Sequence, residues 1–262
     1  MSDAPANHTA WTLANSAGEL RYGAVRGSVD ISRPYLGLTN VVASRQVLRG
    51  YMLAIRRRAE ATSHGLTAHE SGSSWPLDVA DAYVRGNDLV ASYRPTDGWP
   101  YAPQLYWRAN TLNDIPNVFG SLSLLVSVET HLLDTWPRID IGSQLQCAEV
   151  LHIDAESGAT ESLQRDQTIP ASTGTCCILR RLTDWPISYA EIMPANDFCQ
   201  LTVRHERNHR CIVEWQLFAE FLEKGVIRRA QLQTAFLPRD NDVRIAMACC
   251  KAMEHCPLPL TT

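Results

Sequence analysis

The chain has 262 residues and a mass of 29.2 kDa, long enough to bury a sizeable core without disulfide or metal staples. Hydrophobic residues make up 45% and charged residues 20%, which excludes disorder over most of the length. A net charge of −4 and a pI near 6.1 exclude a generally basic binder of nucleic acid or of membrane surfaces.

Residues 1–10 are expected to be a polar, flexible arm; they carry neither a basic segment nor an apolar one, so no secretory signal is expected there. The longest apolar stretches, such as 122–128, are broken by serines and too short to span a bilayer, and a cytoplasmic protein is expected. After the arm, alternation of period two dominates, over 11–262. The segment 78–94 holds two short apolar runs around Arg85-Gly86-Asn87-Asp88, residues that tolerate positive φ, and predicts a hairpin. The segment 19–32 has the same form around Arg26-Gly27-Ser28. Both are followed by Arg-Pro, a weak echo that suggests two equivalent hairpins and a duplicated architecture, with a division near 113–117.

Further strands are predicted over 47–56, 104–109, 122–130, 148–154, 176–181, 187–192 and 198–204. Leu122, Leu124, Val126 and Val128 fall on one face, opposite Ser123, Leu125 and Ser127. Residues 211–222 and 226–237 flank Glu223-Lys224-Gly225 and predict a long hairpin, with an edge that self-association could use. One helix closes the chain. Asp240, Asn241 or Asp242 caps it, 243–253 is rich in helix formers, and Val243, Ala246, Met247 and Cys250 form a stripe to pack on a sheet. The predicted fold is mainly β: a large two-sheet antiparallel sandwich with a C-terminal α-helix.

Eight cysteines, none before Cys147 and two pairs adjacent in sequence, carry no zinc spacing and read as small buried hydrophobes with free thiols. Arginine outnumbers lysine 22 to 2. Amine catalysis would have to use Lys224 or Lys251, both in positions expected to be exposed.

His205-Glu206-Arg207-Asn208-His209 satisfies H-E-x-x-H and resembles the zincin metalloprotease signature over those five residues, which would imply a zinc hydrolase. The flanks alternate like strands, however, and Arg204, Arg207 and Arg210 crowd cations around a dication. A solvated hairpin turn is expected, and no bound metal or cofactor.

Four tryptophans precede proline, at 75, 99, 136 and 185. Trp99, Trp136 and Trp185 follow aspartates in loops, and Tyr101, Tyr106 and Trp107 enlarge the first of these clusters. Aromatic rings on loops can stack on a sugar face, which makes Trp99, Tyr101, Trp136 and Trp185 candidate ligand contacts; they can equally plug the ends of a sandwich. His152 and Asp154 alternate along one strand, with Leu151 and Ile153 expected inward. Glu129 and His131 repeat the spacing, so His131, His152 and Asp154 are the candidate acid–base residues. The stretch 59–76, with His64 and His69, is long for a connection and is expected to be disordered.

No nucleophile elbow, phosphate loop or dinucleotide fingerprint occurs. With no complete catalytic set, the expectation is a non-catalytic binding or assembly module. The alternative is a carbohydrate-active enzyme on a large β sandwich, with His131 or His152 as base. A small-molecule or carbohydrate ligand and a second copy of the chain are the expected partners, without nucleic acid or membrane.

Overall fold

The computed structural model describes residues 9–57, 77–96, 101–109, 112, 114–133, 136–171, 174–218 and 220–255. The first strands are β1 (Trp11–Ala14), β2 (Ala17–Tyr22), β3 (Val25–Asp30), β4 (Leu38–Ala43), β5 (Gln46–Val47) and β6 (Gly50–Arg57). There follow β7 (Asp78–Arg85), β8 (Asp88–Arg94), β9 (Ala102–Ala109), β10 (Gly120–Glu129), β11 (Ile139–Asp154) and β12 (Thr160–Ser162). The last are β13 (Gln167–Pro170), β14 (Thr175–Leu182), β15 (Ile187–Pro194), β16 (Gln200–His205), β17 (Arg210–Leu217) and β18 (Ile227–Pro238), before the helix α1 (Asp242–Glu254).

Every pairing is antiparallel. The large sheet runs β7–β8–β9–β10–β18–β15–β14–β11–β12, and the second runs β6–β11–β17–β16–β13. Strand β11 belongs to both. Residues 139–146 pair with β6 and β17, the register slips between Cys147 and Glu149, and the remainder pairs with β14 and β12. A bulge of this kind bends a strand, which is how one strand serves two layers. Strands β1 to β5 form a small flanking sheet.

The core fills the space between the layers. Leu122, Leu124, Val126 and Val128 face it from β10, as their alternation predicts, and meet Ile139, Ile141, Val213 and Trp215 of the second sheet. A buried ion pair joins adjacent strands of the large sheet and reaches the second sheet through hydrogen bonds. Arg180 of β14 donates to the Glu191 carboxylate of β15 at 2.6 Å and to the Ser143 carbonyl of β11 at 3.2 Å. Trp215 Nε1 of β17 donates to the second Glu191 oxygen at 2.9 Å. Both charged groups are fully buried, so removing either partner would strand the other in low dielectric.

The helix packs on the outer face of the large sheet. Ile245, Ala246, Cys249, Cys250 and Met253 lie against Leu179, Ala190, Ile192, Ala235 and Leu237. Its buried stripe includes Ala246 and Cys250 as expected, while Val243 and Met247 are only partly buried. Its N-cap, Asn241, takes a left-handed conformation and makes no side-chain cap. Burial pushes the Cys249 thiol up to about 12, in keeping with a small hydrophobe and not a nucleophile. Among the described residues, no helix is long and apolar enough to cross a membrane.

The hairpin at 78–94 forms as predicted, with Gly86 at φ +58 in its turn. Three local expectations need correction. The turn of the 19–32 hairpin falls at Gly23 and Ala24; Gly27 sits inside β3 at a register slip, where a Cβ would press on Leu38. The segments 211–222 and 226–237 do not pair. Strand β17 lies between β11 and β16, and β18 between β10 and β15, because the connection 218–226 crosses from one layer to the other. Strand β17 therefore offers no free edge, and β18 is paired on its β15 side from Gln233 to Pro238. Finally, Leu151 and Ile153 point outward, under α1, because the helix makes the outer face of that region as dry as the inner one.

Candidate functional site

The outer face of the large sheet changes character along its width. Where α1 lies, it is apolar. Beyond the helix, on β8, β9, β10 and β18, alternate positions are polar. Cross-strand register aligns Ser92, Gln104, Ser127 and Arg229 in one row. At about 4.8 Å between strands, such a row spans roughly 14 Å, enough for a hexose ring and its substituents. The next row holds Val90, Tyr106, Leu125 and Gln231. Val90, Tyr106 and Leu125 form a small buried apolar cluster separate from the core between the sheets.

The polar side chains of this strip hold one another in place. Tyr106 donates its hydroxyl to Gln104 Oε1 at 2.6 Å, leaving the amide NH2 of Gln104 to donate outward. Burial raises the Tyr106 phenol. Gln231 Nε2 donates to Ser123 Oγ at 2.8 Å, and Gln233 Nε2 donates to the Leu122 carbonyl at 3.0 Å. Strands β15 and β18 pair only as far as Ile192 and Gln233. Past that point the Asp197 carboxylate takes the Gln231 N–H at 2.8 Å, and burial holds its carboxyl above the usual range. Amides, hydroxyls, a guanidinium and one phenol ring in two adjacent rows are what a neutral polyol requires.

Strand β10 carries the strip to its end. Glu129 follows Ser127 by two residues, about 7 Å along the strand on the same face. His131, exposed, comes just beyond it. At this end the structure also brings together two of the predicted ligand contacts. Tyr101 is buried and donates its hydroxyl to the Trp136 carbonyl at 2.9 Å, and the exposed Trp136 ring meets Phe221 edge-on at 6.0 Å.

The other sequence candidates lie elsewhere. Trp185 lines a separate cavity of about 260 Å3 with Leu48, Arg49 and Leu182. His152 is half-buried at the far edge of the large sheet, opposite Glu161 of β12, and burial lowers its pKa. Asp154 accepts the backbone N–H groups of Glu156 and Ser157, which lower its pKa and commit it to a turn. Trp75, Trp99, His64, His69 and the stretch 59–76 fall outside the described residues. Trp107 is a core residue, facing opposite to Tyr106.

The H-E-x-x-H segment is a hairpin turn, not a helix. His205 ends β16, Asn208 and His209 adopt left-handed conformations, and the Glu206 N–H donates to the Arg210 carbonyl at 2.8 Å. Two histidines at i and i+4 therefore do not share a helical face, and the geometry a zinc hydrolase needs is missing. Among the described residues, no group of three or more His, Cys, Asp and Glu could hold a metal ion. The turn borders a cavity of about 690 Å3. Its charged groups are already engaged: Glu149 with Arg181 at 2.8 Å, Glu206 with Arg210 at 3.5 Å, and Arg239 with the carbonyls of Leu182 and Trp185.

Sequence reasoning missed Gln104, Ser127, Arg229, Gln231 and Asp197. The signal was present for all but Asp197: polar residues alternating with apolar ones in three strands of one sheet mark a face that no helix covers.

No protein-family model matches the chain, and no curated protein does. Solved structures match over most of its length. A candidate aldose 1-epimerase from Escherichia coli K12 superposes with a TM-score of 0.57 at 9% identity, covering 84% of this chain and 98% of that one. A galactose mutarotase-like protein from Lactobacillus casei gives 0.56 at 9%, covering 84% and 99%. A candidate aldose 1-epimerase from Klebsiella pneumoniae gives 0.55 at 10%, covering 96% and 90%. These likenesses correct the expectation of a non-catalytic binding or assembly module. The fold is a galactose mutarotase-like β-sandwich.

Proposed function

We propose that the chain binds an aldose on the half of the large sheet's outer face that α1 leaves free, and interconverts its anomers by proton transfer at the anomeric hydroxyl and the ring oxygen. The observation that carries this reading is the row Ser92, Gln104, Ser127 and Arg229, backed by Tyr106 and leading to Glu129 and His131 at one end. The neighbours of this fold include chains named for aldose 1-epimerisation, which supports the class of substrate.

Interconverting two anomers requires a proton to leave the anomeric hydroxyl while another reaches the ring oxygen. The ring opens, the aldehyde carbon rotates, and the reverse transfers close it on the other face. An acid and a base set about one ring-width apart can do both. Glu129, the last residue of β10, and His131, just beyond the strand, take these roles. Gln104 and Ser127 would orient the ring hydroxyls, and the Arg229 guanidinium would stabilise charge developing on oxygen. His152 does not share this face and has no role in the reading.

Polarimetry of freshly dissolved α-D-galactose and α-D-glucose tests it. The wild-type chain should speed mutarotation above the buffer rate, and His131→Ala should slow it by about 100-fold or more. Wild-type protein no faster than buffer on either sugar, or His131→Ala at full rate, would overturn the assignment.

A further inference from the structure

Nine large hydrophobic side chains are exposed among the described residues, and six of them gather at one end of the molecule. They are Leu132 at 46%, Leu133 at 80%, Trp136 at 49%, Phe221 at 43%, Val226 at 41% and Ile227 at 49%. They come from two connections that the fold ties together. Gly225 N–H donates to the Thr130 carbonyl at 3.0 Å, the Trp136 and Phe221 rings touch, and Ile227 pairs with Glu129 across β18 and β10. The patch is therefore built, not a frayed loop tip, and scattered single exposures do not explain it.

We infer that this end is where the chain associates with a second copy of itself, about a two-fold axis. The first support is area. At these exposures the six side chains offer on the order of 600 Å2 per protomer, and a polar rim of ordinary width would bring that near the roughly 800 Å2 per partner of a stable interface. The second is charge. The rim carries Glu220, Glu223, Lys224, Arg138 and Arg228, a mixture of both signs. Glu220 is already paired with Arg228 at 3.0 Å, whereas Glu223 and Lys224 stand exposed side by side. Adjacent opposite charges near a two-fold axis are matched by their own rotated copy, Glu223 facing the partner's Lys224 and the reverse. A rim with this balance gives little attraction for an anionic membrane or for nucleic acid. The inference does not rest on the sugar reading, although the second copy would shelter the end of the strip where His131 lies.

Light scattering and sedimentation velocity on the full chain at high micromolar concentration decide it. The wild type should run near twice 29.2 kDa. Leu133→Asp should run near the monomer mass with an unchanged circular dichroism spectrum, since Leu133 is 80% exposed. Glu223→Lys should weaken the dimer by about tenfold, and Glu223→Lys together with Lys224→Glu should restore it. A monomeric wild type throughout the range would overturn the inference, whatever the variants do. So would Leu133→Asp that stays dimeric. A monomer that floats with phosphatidylserine vesicles would assign the patch to a lipid surface and also overturn it.

Discussion

The two halves of the large sheet's outer face belong to one sheet and share one alternation, yet they differ in chemistry. Under α1 the outward positions are Leu151, Ile153, Cys177, Leu179, Ala190, Ala235 and Leu237, all buried. A few strands away they are Ser92, Gln104, Ser127, Gln231 and Arg229. Period two alone says that a strand has two faces. Only the residue type on the second face says whether protein or ligand and water covers it. The half away from α1 is also not plain solvated surface: Ser123, Ser127, Tyr106 and Gln233 are buried there, with Tyr106 bonded to Gln104, Ser123 to Gln231 and Gln233 to the Leu122 carbonyl.

The sharpest way to break this comparison is to truncate under the helix. Leu179→Ala should cost about 2–5 kcal/mol in urea denaturation, the usual loss for a buried leucine whose site cannot collapse. A cost below ~1 kcal/mol would mean that α1 does not seal that half.

A smaller effect is expected where the helix begins. Burial opposes ionisation of Asp242, but hydrogen bonds from Arg181 and Ser188, with the positive charge of Arg181, outweigh it and hold the carboxyl below its ordinary range. A depressed folded-state pKa contributes stability that is fully present above the unfolded value of about 3.9 and is lost as pH falls through the folded value. The urea midpoint of the wild type should therefore fall more steeply on acidification below pH ~4 than that of Asp242→Asn. Parallel acid limbs would contradict it.

The smallest effect should come from the half away from α1. Gln104→Ala should cost only about 1 kcal/mol, the net worth of the hydrogen bond it accepts from the Tyr106 hydroxyl. A loss as large as that of Leu179→Ala would make the strip structural.

Much of the fold could be read from the sequence. Four residues of β10 alternate inward as expected, Gly86 makes its turn, and the terminal helix packs on a sheet. What failed was pairing between segments close in sequence. The residues flanking Gly225 look like hairpin arms, because a glycine with positive φ serves a layer crossing as well as a tight turn; only the three-dimensional partners of Leu217 and Ile227 distinguish the two. The proposed site was legible only at one end. His131, Tyr101 and Trp136 were singled out and lie at one end of the strip, but His152 carried equal weight. Gln104 drew no notice and Ser127 was read only as the opposite face of its strand, because neutral polar residues stand out only once strands are in register. Asp197 had no sequence signal at all, since its role depends on the point where β15 leaves β18.

The most direct test follows backbone and side-chain amide NMR signals while D-galactose is titrated into the wild-type chain. Saturable shifts centred on Ser92, Gln104, Ser127 and Arg229, reaching Glu129 and His131, are predicted. Shifts confined to the turn at 205–209, or none at saturating sugar, would contradict the account.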